Sequence, residues 1–431
     1  MKKIFCITLN ILMLATLAAC GGGKSEEVEE EFKASLDTQT KCNLRVVGNY
    51  SNFEALEAEF DKFNEFYPNV TMEYVKLDDY DNTLPTVLSG SEKPNIFFSE
   101  PKMIDNEKYA EVVSHMEDLS DPALKINLNF VRSSLIKKDS NGKVLTVPIF
   151  SRTYGALINK DLFKKEGLNV PEKWTDLLNV CASFTTKGYQ SPIMGYSKDK
   201  KPSSGLMNAI AYPMFVAELA KNPEALTLAN NLNPKAGEYM RGALTAVDQL
   251  VKNGSINIEE CDKIGDNYEK VLLRFFEGDV PMMVCNGDTV SGAKKRESKS
   301  EPFKANPFEY SFYPIPVTEQ GGYFIDSPSL EFSINKDCEN LDMTNEFMRF
   351  IIRTKELSDM AANKGLIAST KDTSFQPVYA PFSSVPADRR ISPEVIGVKD
   401  QLATQMRIAS YQVGKGELTI DEAVAKYGSL E

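Results

Sequence analysis

The sequence predicts a two-lobed α/β protein, and three observations carry that expectation. At 431 residues the chain exceeds what one small core organises. Its opening alternates strand, helix, strand, helix, strand between Asn43 and Phe98, as a doubly wound lobe does. Two later stretches, Val147–Leu178 and Tyr268–Asp288, each carry a buried strand joined directly to a polar segment. Composition is that of a globular chain, 42% apolar and 26% charged. The formal charge of −12 argues against nucleic acid as a partner and against a basic membrane-binding face.

At the N-terminus, Lys2 and Lys3 precede an apolar run from Ile4 to Leu17, followed by Ala18, Ala19 and Cys20. A basic start, a short apolar stretch and small residues make residues 1–19 a secretory signal. The run is too short, and too interrupted by Thr8 and Asn10, to span a bilayer comfortably. Leu-Ala-Ala-Cys resembles the lipobox of bacterial lipoproteins, which implies that Cys20 is the lipidated first residue. Loss of two lysines with the signal takes the charge to −14. Residues 20–42, glycine-rich and then acidic (GGGKSEEVEEE), are expected to form a flexible tether. Five cysteines then remain, at 42, 181, 261, 285 and 338, widely spaced and without a C-x-x-C. That is neither a zinc pattern nor a disulfide framework, and it leaves free thiols or a single disulfide open.

Along the fold, Asn43–Gly48 reads as a strand, and Ser51 with Glu54 as a capping box. Phe53, Leu56, Phe60, Phe63 and Tyr67 recur at helical spacing, the core face of a helix that Pro68 stops. Val70, Met72 and Tyr74 make a second strand, Tyr80–Leu88 a helix and Asn95–Phe98 a third strand. Ligands of such sheets bind beyond the carboxyl ends of the strands, which singles out Tyr50 and Glu100. The acidic run Asp78–Asn82 lacks the glycine and distal glutamate of a calcium loop, so helix capping and solvation account for it.

A strand from Lys143 to Ile149 leads into the polar island Ser151–Gly155, after which Ala156–Ile158 is strand-like again. The island is either a plain surface crossover between lobes or a place where Arg152 and Tyr154 face a ligand. Asn159 is positioned to cap a short helix closed by Gly167, and Thr175 to cap the next. The chain is then mostly helical to Asn253. Gly205–Ala220 is its most apolar part, but Asn208, Pro213 and Glu218 mark a soluble helix. A helix ending at Gly278 precedes a strand, Val280–Cys285, that emerges into Asn286-Gly287-Asp288. Strands at Tyr310–Pro316 and Ser329–Ile334, a helix at Leu341–Arg353 and two closing helices, the last one capped, complete the pattern.

In order along the chain, these stretches resemble the bacterial extracellular solute-binding proteins of carbohydrate importers (family 1, maltose-binding-protein-like). Pro148 to Leu178 is similar to that family's crossover, P-x-x-x-x-x-x-G-x-x-Y-N-K-D-L-F, then K-x-x-G, then P-x-T-W-x-E-L, with Ile158 in place of the tyrosine. Phe275–Asp288 resembles its F-x-x-G-x-A-A-M-x-x-x-G-x-W, with Asp288 and Thr289 near the place of the aromatic. Ala361–Thr370 is similar to its G-x-I-P-x turn, without the proline.

The resemblance implies a two-lobed periplasmic-binding-protein-like fold of type II, each lobe a mixed sheet flanked by helices, with a ligand cleft between. Residues 43–150 and 323–371 are expected in lobe 1, and residues 151–322 and 372–431 in lobe 2. Crossings are expected near Phe150–Gly155, Gly321–Pro328 and Thr370–Gln376. The implied function is that of a substrate-binding lipoprotein of an ABC importer. It would be a monomer tethered to the membrane by its lipid, facing the periplasm or the extracellular space. It would capture a sugar or oligosaccharide and deliver it to permease subunits, without cofactor or metal. Ligand candidates are Tyr50, Glu100, Arg152, Tyr154, Asn286, Asp288, Tyr323 and Asp326. Trp174 matches the family's tryptophan, which packs under a helix start. A non-sugar solute (peptide, polyol or glycerol phosphate) is the alternative cargo. Catalysis is not expected: the sole histidine is His115, and no G-x-S-x-G, phosphate loop or G-x-G-x-x-G occurs. A surface glycoside hydrolase is the rival from another class, since two carboxylates need no sequence motif.

Overall fold

Twelve strands among the described residues of a computed structural model form two main sheets and a small third. Described are residues 31–104, 106–196, 205–264, 267–372 and 375–430. The segment expected to be a signal, residues 1–19, and Cys20 lie outside them. Residues 34–431 cluster as one unit.

The strands are β1 (Cys42–Gly48), β2 (Val70–Lys76), β3 (Ile96–Ser99), β4 (Val147–Arg152), β5 (Tyr154–Asn159), β6 (Ile193–Met194), β7 (Met282–Asn286), β8 (Tyr310–Tyr313), β9 (Phe324–Ile325), β10 (Ser327–Ile334), β11 (Ile367–Ala368) and β12 (Arg390–Ile391). The first sheet has the order β11-β4-β10-β3-β1-β2. In it β1 is parallel to β2 and β3, whereas β10 is antiparallel to β3 and β4. The second has the order β6-β7-β5-β8, and a parallel pair, β9 and β12, lies apart. Both main sheets are mixed and the helices lie between their strands in sequence, so the chain is α/β with one sheet in each lobe.

The helix Glu54–Asn64 forms because its apolar residues share one face; Leu56, Phe60 and Phe63 are buried with Tyr67, and Phe60 and Phe63 meet Phe347 and Phe350 edge-on or tilted at 5.1–5.6 Å. The capping box expected at its start is not made: Phe53 is the N-cap residue, and Glu54 instead receives a bond from the Asn52 amide. Asn159 does cap the helix Lys160–Glu166, and Gly167 ends it at φ +70°. Thr175 does not cap Trp174–Thr186. Its N–H and hydroxyl both donate to Glu319 (3.1 and 2.6 Å), a carboxylate from a distant loop doing what the local hydroxyl was expected to do. The helix Leu206–Ala220 runs through Pro213 and is buried on nearly every side in the second lobe, and no described helix is long and apolar enough to cross a membrane. The last helix, Ile420–Ala425, carries a complete capping box from Thr419 and Glu422.

Three details of the structure bear on the expected bounds. The tether does not stay free to residue 42. The Ser35 N–H and hydroxyl donate to Glu346 (2.8 and 2.6 Å), the N–H also approaches the Tyr67 hydroxyl (3.1 Å), and Cys42 already belongs to β1. A buried carboxylate on the first lobe needs those donors, and that need fixes the segment. Ser151 and Arg152 pair with β10 and so belong to the first sheet, which puts the crossing at Thr153 rather than at 151. Phe324 and Ile325 pair with β12 and pack in the second lobe's core, so the return to the first sheet begins at Ser327 rather than at 323.

Candidate functional site

Because β1, β2 and β3 are parallel, their carboxyl ends share one edge of the first sheet. The loops that leave this edge line a cavity of about 420 Å³ through Asn49, Leu77, Asp78, Tyr80 and Glu100. Around it, Asp78 pairs with Lys76 at 2.6 Å and Glu100 with Lys102 at 2.9 Å. Tyr50 stands next to the cavity, held by its own backbone: the Tyr74 hydroxyl accepts from the Tyr50 N–H and donates to its carbonyl, both at 2.9 Å. Its ring is propped edge-on by Phe53 and Phe98, with the Lys364 ammonium 4.9 Å from its centre.

The other side comes from the second sheet. β5 and β7 pair with Tyr154 opposite Asn286, which brings the start of one strand to the end of the other. Arg152, the last residue of β4, reaches across to Asp288, its Nη1 3.2 Å from Oδ2 with both side chains 43% exposed. Tyr154 turns its ring edge-to-face to Tyr212 at 5.9 Å. Burial raises the Tyr154 phenol above its ordinary value, while Arg152 works in the opposite direction. Burial, then the charge of Asp288, likewise raises the phenol of Tyr50. Tyr50, from the first sheet, thus lies in the field of an ion pair that joins the end of β4 in the first sheet to the segment after β7 in the second.

Tyr50, Arg152, Tyr154 and Asp288 therefore come together, with Glu100 at the first-lobe edge. The side chains of the remaining three candidates are engaged otherwise. Asn286 is buried, and its Oδ1 caps the next turn by accepting from the Thr289 N–H and hydroxyl, each at 3.0 Å. Asp326 is 3% exposed and bound to Arg132 by two bonds of 2.9 and 3.0 Å. Tyr323 is half-buried against the second lobe's core, its phenol raised first by burial, with Arg389 the leading charge beside it. Trp174 packs against that same core.

Two residues that sequence reasoning missed stand here. Glu394 follows β12 and lies in the field of Arg152. Burial pushes its carboxyl up to about 7 against the pull of its own backbone N–H and of Arg152, and its Oε2 is enclosed with no hydrogen-bond partner among the described residues. Tyr212, in the helix Leu206–Ala220, forms the wall behind Tyr154. Nothing local marks either one: Glu394 sits in an irregular loop, and Tyr212 reads as one apolar position among many.

Chemically, the group offers two phenols, a half-exposed guanidinium–carboxylate pair and a carboxyl near its titration point. These are donors and acceptors on fixed supports, suited to a polyhydroxylated ligand with an apolar face. His115, by contrast, pairs with Asp337 at 2.8 Å beside the far end of β10.

A family model described as bacterial extracellular solute-binding protein matches residues 48–356. The chain is 19% identical over 359 residues to the multiple sugar-binding protein of Streptococcus mutans, covering 83% of this chain and 80% of that one. It is 21% identical over 391 residues to the melibiose/raffinose/stachyose-binding protein MelE of Bacillus subtilis, covering 88% and 84%. Among solved structures, the apo form of RafE from Streptococcus pneumoniae superposes with a TM-score of 0.71 at 19% identity, covering 93% of this chain and 98% of that one.

Proposed function

The chain belongs to the bacterial extracellular solute-binding proteins, and from that membership we propose that it captures a sugar or oligosaccharide between its two lobes for an ABC importer. The observation that carries this reading is the convergence of Tyr50 from the first lobe with Arg152, Tyr154 and Asp288 at the crossing. Relatives point to the same class of cargo: their names specify multiple sugars and melibiose, raffinose or stachyose, and RafE has been solved with raffinose. In this reading Tyr154 and Tyr50 meet the apolar faces of the ligand, and Arg152, Asp288, Glu394 and Glu100 bond its hydroxyls. The protein performs no chemistry, and ATP hydrolysis belongs to another subunit. Export by residues 1–19, lipidation of Cys20 and delivery to a membrane permease complete the proposal, supported by the sequence pattern and by membership in an extracellular family.

One observation favours the alternative of a non-sugar solute: an ammonium, Lys364, already lies over the Tyr50 ring, leaving that ring less free to stack on a sugar. A thermal-shift panel of oligosaccharides, polyols and peptides decides between the two. A cognate ligand at 100 times its dissociation constant adds about 2.7 kcal/mol of stability. Saccharide-dependent melting is the expected result. A panel in which only peptides or polyols raise the melting temperature overturns the sugar reading, and steady release of reducing ends from a glycan overturns the non-catalytic one.

A further inference from the structure

The three segments that pass between the lobes meet at one guanidinium. Arg132 lies in the irregular region before β4 and is 8% exposed. Its Nε and one Nη2 bond reach the two carboxylate oxygens of Asp326, between β9 and β10 (2.9 and 3.0 Å). Nη2 also donates to the Ser151 hydroxyl, two residues before the crossing at Thr153 (3.0 Å). Nη1 donates to the carbonyls of Ala368 and Thr370, just before the third crossing (2.6 and 3.0 Å). Among the described residues these bonds engage all three guanidinium nitrogens, Nε, Nη1 and Nη2.

Asp326 continues the linkage toward the second lobe. Its N–H donates to the Ile391 carbonyl (2.8 Å), and its carbonyl accepts from the Ser392 hydroxyl (2.7 Å). Its side chain is therefore bonded into the first lobe and its backbone into the second.

We propose that Arg132 is the pivot of the molecule: it fastens all three crossing segments at their first-lobe ends, so the lobes turn at Thr153, at Ile325–Asp326 and just after Thr370 as one hinge. This rests on the reading of a two-lobed binding protein that closes on its ligand. Three independent linkers would let the lobes twist and shear; one shared fastener leaves a single rotation. Lysine cannot replace it, since three donors on a point charge do not reach three segments at once.

The test measures the interlobe distance distribution by pulsed EPR, with spin labels at Glu65 and Lys221 and with Cys42 and Cys338 replaced by serine. Arg132→Lys, and the isosteric Asp326→Asn should the first not fold, are compared with the parent without ligand and with raffinose-class saccharides. Expected are a broadened ligand-free distribution and faster saccharide release, by about tenfold, with the association rate little changed. Arg349→Lys, at an ion pair with Glu346 remote from the crossings, should leave the width unchanged. A width equal to the parent's in both pivot variants, or equal broadening in Arg349→Lys, overturns the proposal. If the parent binds no saccharide, the function reading fails, and the ligand-free widths alone decide the pivot.

Discussion

At the scale of single residues, what a side chain can offer a ligand depends on what already holds it. Asn286 and Asp326 have the chemistry of sugar ligands, but a helix start and a buried arginine have claimed their oxygens. Among the described residues Arg152 and Asp288 hydrogen-bond through their side chains only with each other, by one bond at a half-exposed position, and remain able to bond a ligand. Tyr154→Ala is expected to cost about 2 kcal/mol of ligand binding, measured by titration calorimetry, because it removes a half-buried aromatic at the centre of the group. Tyr154→Phe should retain most of the affinity if the ring carries the contact. Unchanged affinity in the alanine variant would take Tyr154 out of the site. Spacing alone places Tyr154 beside the crossing, but whether Asn286 contacts ligand or serves structure depends on its hydrogen-bond partners.

At the scale of elements, β10 holds an unusual group. Glu331 is 0% exposed between β3 and β4, both its oxygens lack hydrogen-bond partners among the described residues, and burial pushes its carboxyl up to about 8. The native strand keeps a proton that the unfolded chain releases above about 4.5. Stability from this group is thus fully present below pH 4.5 and is lost as pH rises through 8. Glu331→Gln should unfold at higher urea than the parent at pH 8.5, by on the order of 3 kcal/mol, with the difference shrinking toward pH 5. Equal midpoints at both pH values would mean that Glu331 is solvated or paired. β5 is sensitive for a steric reason: a Cβ on Gly155 would stand 2.5 Å from the Tyr313 carbonyl and 2.8 Å from the Phe312 ring. Gly155→Ala is expected to part β5 from β8 at a cost of about 2 kcal/mol, read from urea midpoints. The strands themselves were legible, since β1, β2 and β3 follow alternation and turn signals. Two helix caps were misplaced because Phe53 and Glu319 serve where a local hydroxyl was expected.

At the scale of the molecule, the N-terminal segment and the hinge matter most. Glu346 is buried with Tyr67 and Ser35 as partners, so the chain leaves the first lobe from a fixed point. Removing residues 1–33 should leave the melting temperature near the parent's. Removing residues 1–40 should lower stability by about 2 kcal/mol, because Glu346 then loses two donors. Equal stability of the two truncations would show that the Ser35 contacts contribute nothing.

The order of strands and helices, the core face of the first helix and the polar island at the crossing are local patterns, so the sequence by itself determined them and, with them, the resemblance to a family. The register at Thr153, the fastening of three distant segments by Arg132 and the placing of Glu394 beside Arg152 were decided only by tertiary structure. Their partners lie up to more than two hundred residues away, and a hydrogen bond or a desolvated carboxyl depends on distance in space, which periodicity does not encode.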